Sequence, residues 1–449
     1  MSHAFPRSFE SVLSWSRILY NLRKLRRNSW LSSSKLEEMQ NKGLREVVKY
    51  AYENVAFYHQ AFNRVKIKAS DIRSVDDLLK IPTVTKSEVQ KNSKSLIAKG
   101  VALDQCTSER TSGSTGVPLA VFAQKNASYL LKANKLRHYV ENGGSLLRDK
   151  FVLIGLRRLP DSRTNVARSL NRLGIYRSTR MCLQDPIEEV LEQLVNFEPD
   201  VIKAPASILM LLAAEMEKSG KKVRPKFVWS NGELVDSRSR RLINSAFEVE
   251  MLDGYACVEA GYVAWECSEH AGYHINKDLV VVEFVKDGEH AASGESGEII
   301  LTPLWNYAMP LIRYRVGDVG TPSDESCPCG RGMPLMKVIE GRLDDFIVLP
   351  SGRIISPIVL LSVFDKMKGI AEFRIIQEKQ EELTVRIALK DGDESDVLSK
   401  LRGRFADRLR ESMKLNIEVV DAVATEREQD KPRCIVSKCM PREHFFYGG

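Results

Sequence analysis

The chain has 449 residues, which is long for a single domain, and a formal net charge of +8. Its 43% hydrophobic and 28% charged residues are typical of a globular protein. No apolar run approaches the roughly 18 residues of a transmembrane helix, and the N-terminus lacks the apolar core of a secretory signal. The sequence therefore predicts a cytoplasmic protein, whose eight cysteines are reduced thiols or metal ligands rather than disulfides.

Residues 1–30 are basic, and apolar residues recur at a partly helical spacing, among them Trp15, Ile18, Leu22 and Leu25. Two interpretations fit this pattern. The segment is a helix that contacts a membrane surface or a partner, or it packs on its own domain with the basic face in solvent. We favour the packed helix.

The next segments carry local signals for helices. Residues 35–63 predict one helix with a break, and Thr85 followed by Glu88 forms a capping box that starts another. From 125 to 250, helical patterns alternate with short apolar strands such as 151–155, 201–204 and 227–229. This alternation predicts an α/β layer with a mostly parallel sheet. Ligands bind at the carboxyl ends of such strands, which is where Gly232 and Glu233 lie.

A loop at 111–118 combines hydroxyl residues and glycines, and an apolar alternation at 119–122 follows it. Backbone N–H groups and hydroxyl donors in such a loop suit a phosphate, although an ordinary surface turn fits the composition as well. The candidate phosphate-binding residues are Ser112, Gly113, Ser114, Thr115 and Gly116.

The loop Thr-Ser-Gly-Ser-Thr-Gly-Val-Pro resembles the phosphate-binding loop of the adenylate-forming superfamily. The runs at 51–58 and 81–86 look like the opening of its phenylacetate–CoA ligase branch, which includes CapK-like proteins. Further motifs follow in the family's order at 255–259, 309–318, 341–345 and 430–433. The resemblance covers almost the whole chain.

The stretch at 255–259 matches the family only in part, because Ala256 and Val258 replace the usual Gly and Thr. The resemblance implies that Tyr255 stacks on adenine and that Glu259 helps to hold Mg²⁺ against the ATP phosphates. A carboxylate suits Mg²⁺, which takes oxygen ligands. The missing Thr hydroxyl puts catalytic strength in question more than the fold.

The run at 309–318 is close to the family's Pro-Leu-Ile-Arg-Tyr-x-Thr-Gly-Asp, with Val316 in place of Thr. By this resemblance, Asp318 accepts hydrogen bonds from both ribose hydroxyls, which suits a carboxylate with two acceptor oxygens. Arg342 is assigned to the nucleotide site and Asp344 to the hinge of a mobile C-terminal domain. Lys431 takes the place of the family's catalytic lysine, which reaches the α-phosphate and the substrate carboxylate.

Cys327-Pro328-Cys329 forms a tight two-thiol hook, and Cys267 and His274 lie upstream. Three thiols and one imidazole would complete a closed, structural zinc site. His270 is an alternative fourth ligand, and a turn with two free thiols is the alternative to any metal.

The fold class expected from these patterns and the resemblance is α/β. A large AMP-binding domain with mostly parallel sheets is predicted at 1–342, and a small mobile α+β domain at 343–449. The expected function is ATP-dependent activation of a carboxylic acid, aryl or arylacetic, to an acyl-AMP and then to a CoA thioester. Alternatives are transfer of the acyl group to an amine or sugar, and a nucleotide-binding protein that has lost turnover. Expected cofactors are ATP, Mg²⁺, CoA and structural Zn²⁺.

Few partners follow from the sequence beyond these small molecules. No nucleic-acid-binding motif accompanies the positive charge, so nucleic acid is not expected. The sequence leaves open a homodimer and a peripheral membrane or partner contact through the basic N-terminus.

Overall fold

The computed structural model describes residues 7–110, 119–155, 177–182, 185–342, 345–355, 357–364, 367–390, 393–411, 413–423 and 434–439. The α-helices in these ranges are α1 Arg7–Ser29, α2 Ser33–Asn54, α3 Ala56–Arg64, α4 Lys86–Lys91, α5 Lys125–Glu141, α6 Ile187–Phe197, α7 Ala206–Ser219, α8 Ser237–Phe247, α9 Pro357–Leu361 and α10 Glu394–Leu409.

The strands are β1 Cys106–Arg110, β2 Ala120–Gln124, β3 Phe151–Gly155, β4 Ser178–Cys182, β5 Val201–Lys203, β6 Phe227–Asn231, β7 Leu252–Cys257, β8 Gly261–Glu266, β9 Tyr273–Ile275, β10 Val280–Lys286, β11 Glu289–His290, β12 Gly297–Pro303, β13 Tyr314–Ser323, β14 Leu335–Arg342, β15 Ile347–Val348, β16 Ile354–Ile355, β17 Ile370–Lys379, β18 Glu382–Leu389, β19 Lys414–Val419 and β20 Ile435–Ser437.

One 12-stranded sheet organises the larger part of the protein, in the order β11-β10-β12-β13-β14-β9-β8-β7-β6-β5-β3-β4. The strands from β4 to β7 pair in parallel, and helices α6, α7 and α8 lie between them in the chain. The remaining neighbours pair antiparallel. The parallel half is the part where the sequence alternates between helix and strand patterns, and the α/β fold class is confirmed.

The N-terminal helices confirm the local predictions. Helix α2 ends and α3 begins at Val55, so the break expected within 35–63 lies at this residue. Thr85 Oγ1 accepts from the Glu88 amide, and the Glu88 carboxylate accepts from the Thr85 amide at 2.8 Å, which is the predicted capping box. Helices α2 and α3 bury their apolar faces in a cluster that also contains Tyr314 of β13.

Helix α1 packs against α5 along its apolar face. Ile18, Leu22 and Leu25 are buried there, whereas Arg23 and Lys24 are exposed. The packed interpretation of the basic N-terminal segment is the one that the structure shows for the described residues. Among those residues, no helix is both long enough and apolar enough to cross a membrane.

A separate four-stranded sheet, β19-β18-β17-β20, forms the C-terminal core with α10. Helix α9 stops at Leu361, and the chain continues as a 3₁₀ turn, Ser362–Phe364. This tighter turn sets Phe364 on Phe373 of β17, with ring centroids 3.7 Å apart and nearly parallel planes. This stacking packs the 3₁₀ turn on the C-terminal sheet.

The C-terminal sheet contacts the segment of the chain that follows β6 of the large sheet. Arg238 of α8 donates to the Ile370 carbonyl at 2.8 Å, and Leu234 packs on the C-terminal core. Residues just after β6 are thus in contact with both parts of the chain.

Candidate active site and metal centre

Tyr255 and Asp318 are joined directly, although 63 residues separate them. The Tyr255 hydroxyl donates to Asp318 Oδ2 at 2.6 Å. Burial, followed by the Asp318 charge, raises the pKa of Tyr255 well above its usual value, so the phenol remains a donor. The two residues predicted to contact adenine and ribose therefore lie together.

Glu259 has a partner that sequence reasoning missed. It is only 6% exposed, and its Oε1 accepts from the Tyr314 hydroxyl at 2.7 Å. Burial and the neighbouring Glu259 charge raise the pKa of Tyr314, which keeps its proton on the phenol oxygen. The aromatic residue within Ile312-Arg313-Tyr314 is the only sequence feature that could have suggested this pairing.

Glu233 joins the turn after β6 to the start of α7. Its two carboxylate oxygens accept from the Ser207 amide at 2.8 Å and the Ser207 hydroxyl at 3.0 Å. An acidic group at a helix N-terminus satisfies an otherwise unpaired N–H and favours the helix dipole. Gly232, with φ 79°, makes the turn that brings Glu233 there, a conformation that glycine adopts without strain.

Several predicted site residues lie outside the described residues: Ser112, Gly113, Ser114, Thr115, Gly116, Asp344 and Lys431. The strands on either side of 111–118 pair, with Arg110 opposite Ala120. The backbone of Arg342 pairs with Asp318 across β13 and β14, while its side chain is not described.

Cys434 is the first described residue after Lys431, and its carbonyl accepts from the Ile375 amide of β17 at 2.8 Å. Burial, followed by the charges of Asp236 and Glu233, raises the pKa of the Cys434 thiol to about 11. The chain three residues beyond Lys431 is therefore near the turn after β6.

Cys267, His274, Cys327 and Cys329 converge, and their ligand atoms all lie within 4.8 Å of one another. The Cys267 and Cys327 sulfurs are 3.5 Å apart, and His274 Nε2 is 3.4 Å from the sulfurs of Cys267 and Cys329. A tetrahedral zinc ion, about 2.3 Å from sulfur and 2.0 Å from nitrogen, holds its ligand atoms about 3.5–3.8 Å apart. The residues fit a zinc ion of the closed, structural type.

The pKa values of the three thiols in the cluster are shifted in different directions. Burial raises the pKa of Cys327 to about 12 and also raises that of Cys267. Burial opposes ionisation of Cys329 as well, but hydrogen bonds and the charge of Arg331 outweigh it and lower its pKa. Burial, followed by Arg331, lowers the pKa of His274 to about 4, so the imidazole is neutral and able to donate electrons to a metal.

The alternative ligand His270 is not part of this cluster. It lies in the turn between β8 and β9, with φ 49°, and its Nδ1 is 3.8 Å from Glu266. Arg331, a residue that sequence reasoning did not single out, extends the cluster: its guanidinium donates to the Glu141 carbonyl and lies over the Trp30 and Trp265 rings.

Comparisons with known proteins agree with these features. Residues 347–438 match the family described as the CapK C-terminal domain. The chain is 26% identical to a phenylacetate–coenzyme A ligase of Thermus thermophilus, an alignment that covers 71% of this chain and 73% of the relative. It is 29% identical to that of Escherichia coli, over 71% of this chain and 74% of the relative. The chain is 22% identical to protein CapK of Staphylococcus aureus, in an alignment that covers 86% of each of the two chains.

Among solved structures, 2-hydroxyisobutyryl-CoA ligase in the postadenylation state matches with a TM-score of 0.78 at 18% identity, over 92% of both chains. The same ligase in its thioesterification state matches with a TM-score of 0.63. The fold is thus that of adenylate-forming CoA ligases, and the resemblance seen in the motifs is confirmed by sequence and fold.

Proposed function

We propose that this chain, a relative of phenylacetate–CoA ligases and CapK, activates a carboxylic acid with ATP to an acyl-AMP and transfers the acyl group to CoA. The observation that carries the proposal is the meeting of Tyr255 with Asp318 and of Glu259 with Tyr314. These contacts join β7 and the residues just beyond it to β13, as a nucleotide lying across the carboxyl ends of the strands requires.

Each of these residues has a defined task in the first half-reaction. Asp318 offers its carboxylate to the ribose hydroxyls, and the Tyr255 ring covers one face of the adenine. Glu259 supplies a buried carboxylate to Mg²⁺, which when bound neutralises charge on the ATP phosphates. The loop at 111–118 and Lys431 are proposed to bind the remaining phosphate charge, so that the rate gain is largely electrostatic.

We assign residues 1–342 to the AMP-binding domain and 343–449 to the small domain that carries Lys431. The position of Cys434 near Glu233 supports an arrangement in which the segment before it reaches the nucleotide side of the large sheet. Asp344 is the proposed hinge. The protein is proposed to act in the cytoplasm, as the sequence predicts.

The Cys₃His cluster is proposed to hold one zinc ion with a structural role. All four coordination positions are filled by protein atoms, which leaves none for a substrate. Its ligands come from β9, the end of β8 and the loop before β14, and Arg331 ties that loop to α5. The ion would thus fasten the middle of the large sheet to the N-terminal helices.

Pyrophosphate release with ATP·Mg and a panel of carboxylic acids tests the proposal. Release that depends on one class of acid, followed by thioester formation when CoA is added, is the expected result. Release without thioester, but with an amide or ester product when an amine or sugar is added, would favour the other acceptor. Absence of release with every acid, in protein that still binds ATP, would overturn the ligase activity.

A further inference from the structure

Lys203 is a cation near the proposed active site, and none of the proposed contacts with the nucleotide involves it. It is the last residue of β5, at the carboxyl edge of the parallel strands, and its partners across the sheet are Trp229 of β6 and Leu153 of β3. Its ammonium donates to the Tyr262 hydroxyl and lies 4.3 Å from the centre of that ring. Among the described residues, no carboxylate forms an ion pair with it.

The surroundings of Lys203 are aromatic rather than acidic. Its ammonium is 5.9 Å from the Trp229 ring, and His138 of α5 stacks on Tyr262 with ring centroids 4.5 Å apart. Gly254 lets these rings lie close to the sheet, since a Cβ there would be 3.1 Å from Tyr262 Cε1 and 3.2 Å from Trp229 Nε1. Trp229 is 1% exposed, and its Nε1 has no hydrogen-bond partner among the described residues.

A half-buried cation without an ion-pair partner and an unpaired, buried indole N–H are both unfavourable unless a polar group accepts from them. Burial, followed by repulsion from Lys135, lowers the pKa of Lys203 to about 7. Side-chain packing alone would be served better by an apolar residue of similar length. Both donors gain an acceptor if an oxygen group of a ligand lies at the edge of this aromatic group, beside Lys203 and Trp229 Nε1.

The position of Lys203 and Tyr262 in the sheet indicates which ligand would bind there. Tyr262 is paired with Ala256, which stands between Tyr255 and Glu259 in the chain. Ser207, four residues beyond Lys203, holds Glu233 at the same edge of the sheet. An acid whose reacting carboxylate lies on the nucleotide side, near Glu259, therefore directs its other end toward Tyr262 and Lys203.

We infer that Lys203 and Trp229 Nε1 form a polar subsite that selects acids carrying a second oxygen group, a carboxylate or a hydroxyl, at the end remote from the reacting carboxylate. The aromatic walls of Tyr262 and His138 contact the part of the acid between its two polar ends. This inference rests on the proposed function, and it narrows the substrate class of that same site from plain aryl or alkyl acids to oxygenated ones.

Matched pairs of acids test the subsite: phenylacetate against 4-hydroxyphenylacetate and 4-carboxyphenylacetate, and butanoate against succinate. The quantity compared is the ratio of kcat/KM for the oxygenated acid to that for the plain acid, measured by pyrophosphate release. A charge-assisted hydrogen bond predicts a ratio of about ten to a hundred in at least one pair. Lys203→Met should bring that ratio near one, while Lys203→Arg should retain part of it.

Lys132→Met is the matched control, since Lys132 is an exposed lysine of α5 that lies over the Tyr129 ring, and this variant should keep the wild-type ratio. A wild-type ratio near one in every pair, or an unchanged ratio in Lys203→Met, would overturn the subsite. If no acid gives pyrophosphate, the ligase activity fails instead, and calorimetric binding of the same pairs decides the subsite. A binding preference that Lys203→Met removes supports it, and equal binding of both members of each pair rejects it.

Discussion

The Tyr255 hydroxyl donates a 2.6 Å hydrogen bond to Asp318, and this contact links the centre of the large sheet to its antiparallel half. Strand β7 carries Tyr255 and β13 carries Asp318, and three other strands separate them in the sheet order. The hydrogen bond fixes one carboxylate oxygen of Asp318. The nucleotide site can therefore be tested at either end of the contact.

Asp318→Ala should weaken ATP binding about ten- to a hundredfold, because it removes charge-assisted hydrogen bonds to the ribose. Wild-type protein should discriminate strongly against 2′,3′-dideoxy ATP, and the variant should scarcely do so. Calorimetric titration of both nucleotides measures this. Tyr255→Phe is the companion variant: it keeps the ring and the carboxylate, so its discrimination should stay close to that of wild type. Equal discrimination by wild type and Asp318→Ala would remove Asp318 from the nucleotide site.

Tyr314→Phe should raise the Mg²⁺ concentration needed for half-maximal pyrophosphate release. The substitution removes the hydroxyl that orients the Glu259 carboxylate, and a hydrogen bond to a charged group contributes about 1.5–3 kcal/mol, or roughly ten- to a hundredfold. Tyr52→Phe is the control, since the Tyr52 hydroxyl donates to Asn63 and not to Glu259. A Mg²⁺ dependence that is the same in wild type and Tyr314→Phe would show that Tyr314 does not orient a metal ligand.

Lys431→Ala should abolish pyrophosphate release and leave the large domain folded, because the residue is assigned to the α-phosphate and the substrate carboxylate. Lys414→Ala is a matched loss of one charge from the C-terminal sheet, where Lys414 is exposed and paired with Glu382. It should release pyrophosphate at the wild-type rate. Undiminished release by Lys431→Ala would contradict the assignment.

Protein purified without added metal should contain close to one zinc per chain. Cys329→Ser should lose the metal, because it removes one of four ligands, whereas Cys106→Ser should keep it, since Cys106 lies in β1 away from the cluster. Elemental analysis measures the content. Chelation should lower the melting temperature by a few degrees, since a loss of about 2 kcal/mol shifts a domain of more than 250 residues by roughly 2–4 °C. Metal-free protein of equal stability would argue against the site.

Asp253→Asn should stabilise the protein at pH 8. Burial, followed by Glu266, raises the pKa of Asp253 from 3.8 to about 7. Between those values the folded protein holds a proton that the unfolded chain has released, so stability falls as the pH rises through this window, by up to roughly 4 kcal/mol. The amide keeps an acceptor for the Tyr273 hydroxyl, which donates to Asp253 at 2.8 Å, and removes the charge. Melting curves at pH 5 and pH 8 should show the larger gain at pH 8.

Asp149→Asn is the control, and its expected effect on stability at pH 8 has the opposite sign. Burial opposes ionisation of Asp149, but hydrogen bonds from Ser145, Tyr139 and Lys226 outweigh it and lower its pKa. The charged form is the stabilising one here, so this substitution should lower the melting temperature at pH 8. A pH-independent effect of Asp253→Asn would show that its carboxyl ionises normally in the folded protein.

The local patterns of the chain were sufficient for much of the fold. The break at Val55, the Thr85–Glu88 capping box and the alternation from 151 to 247 all follow from interactions over a few residues, which a single sequence displays directly. The motif that ends at Asp318 could also be recognised from the sequence, because it consists of consecutive residues. The stacking of Phe364 on β17, in contrast, is a contact between separate elements that no local pattern displays.

The tertiary structure alone decided which distant groups meet. Strand β9 inserts between β14 and β8, which places His274 opposite Leu335 and beside the loop that carries Cys327 and Cys329. That register selects His274 over His270, a choice that the spacing of the residues left open. The same is true of Tyr314 and Glu259, and of Lys203 beneath Tyr262. The physical reason is that strand order and register depend on the sum of many pairings across the sheet, whereas the sequence around each residue reports only its own strand.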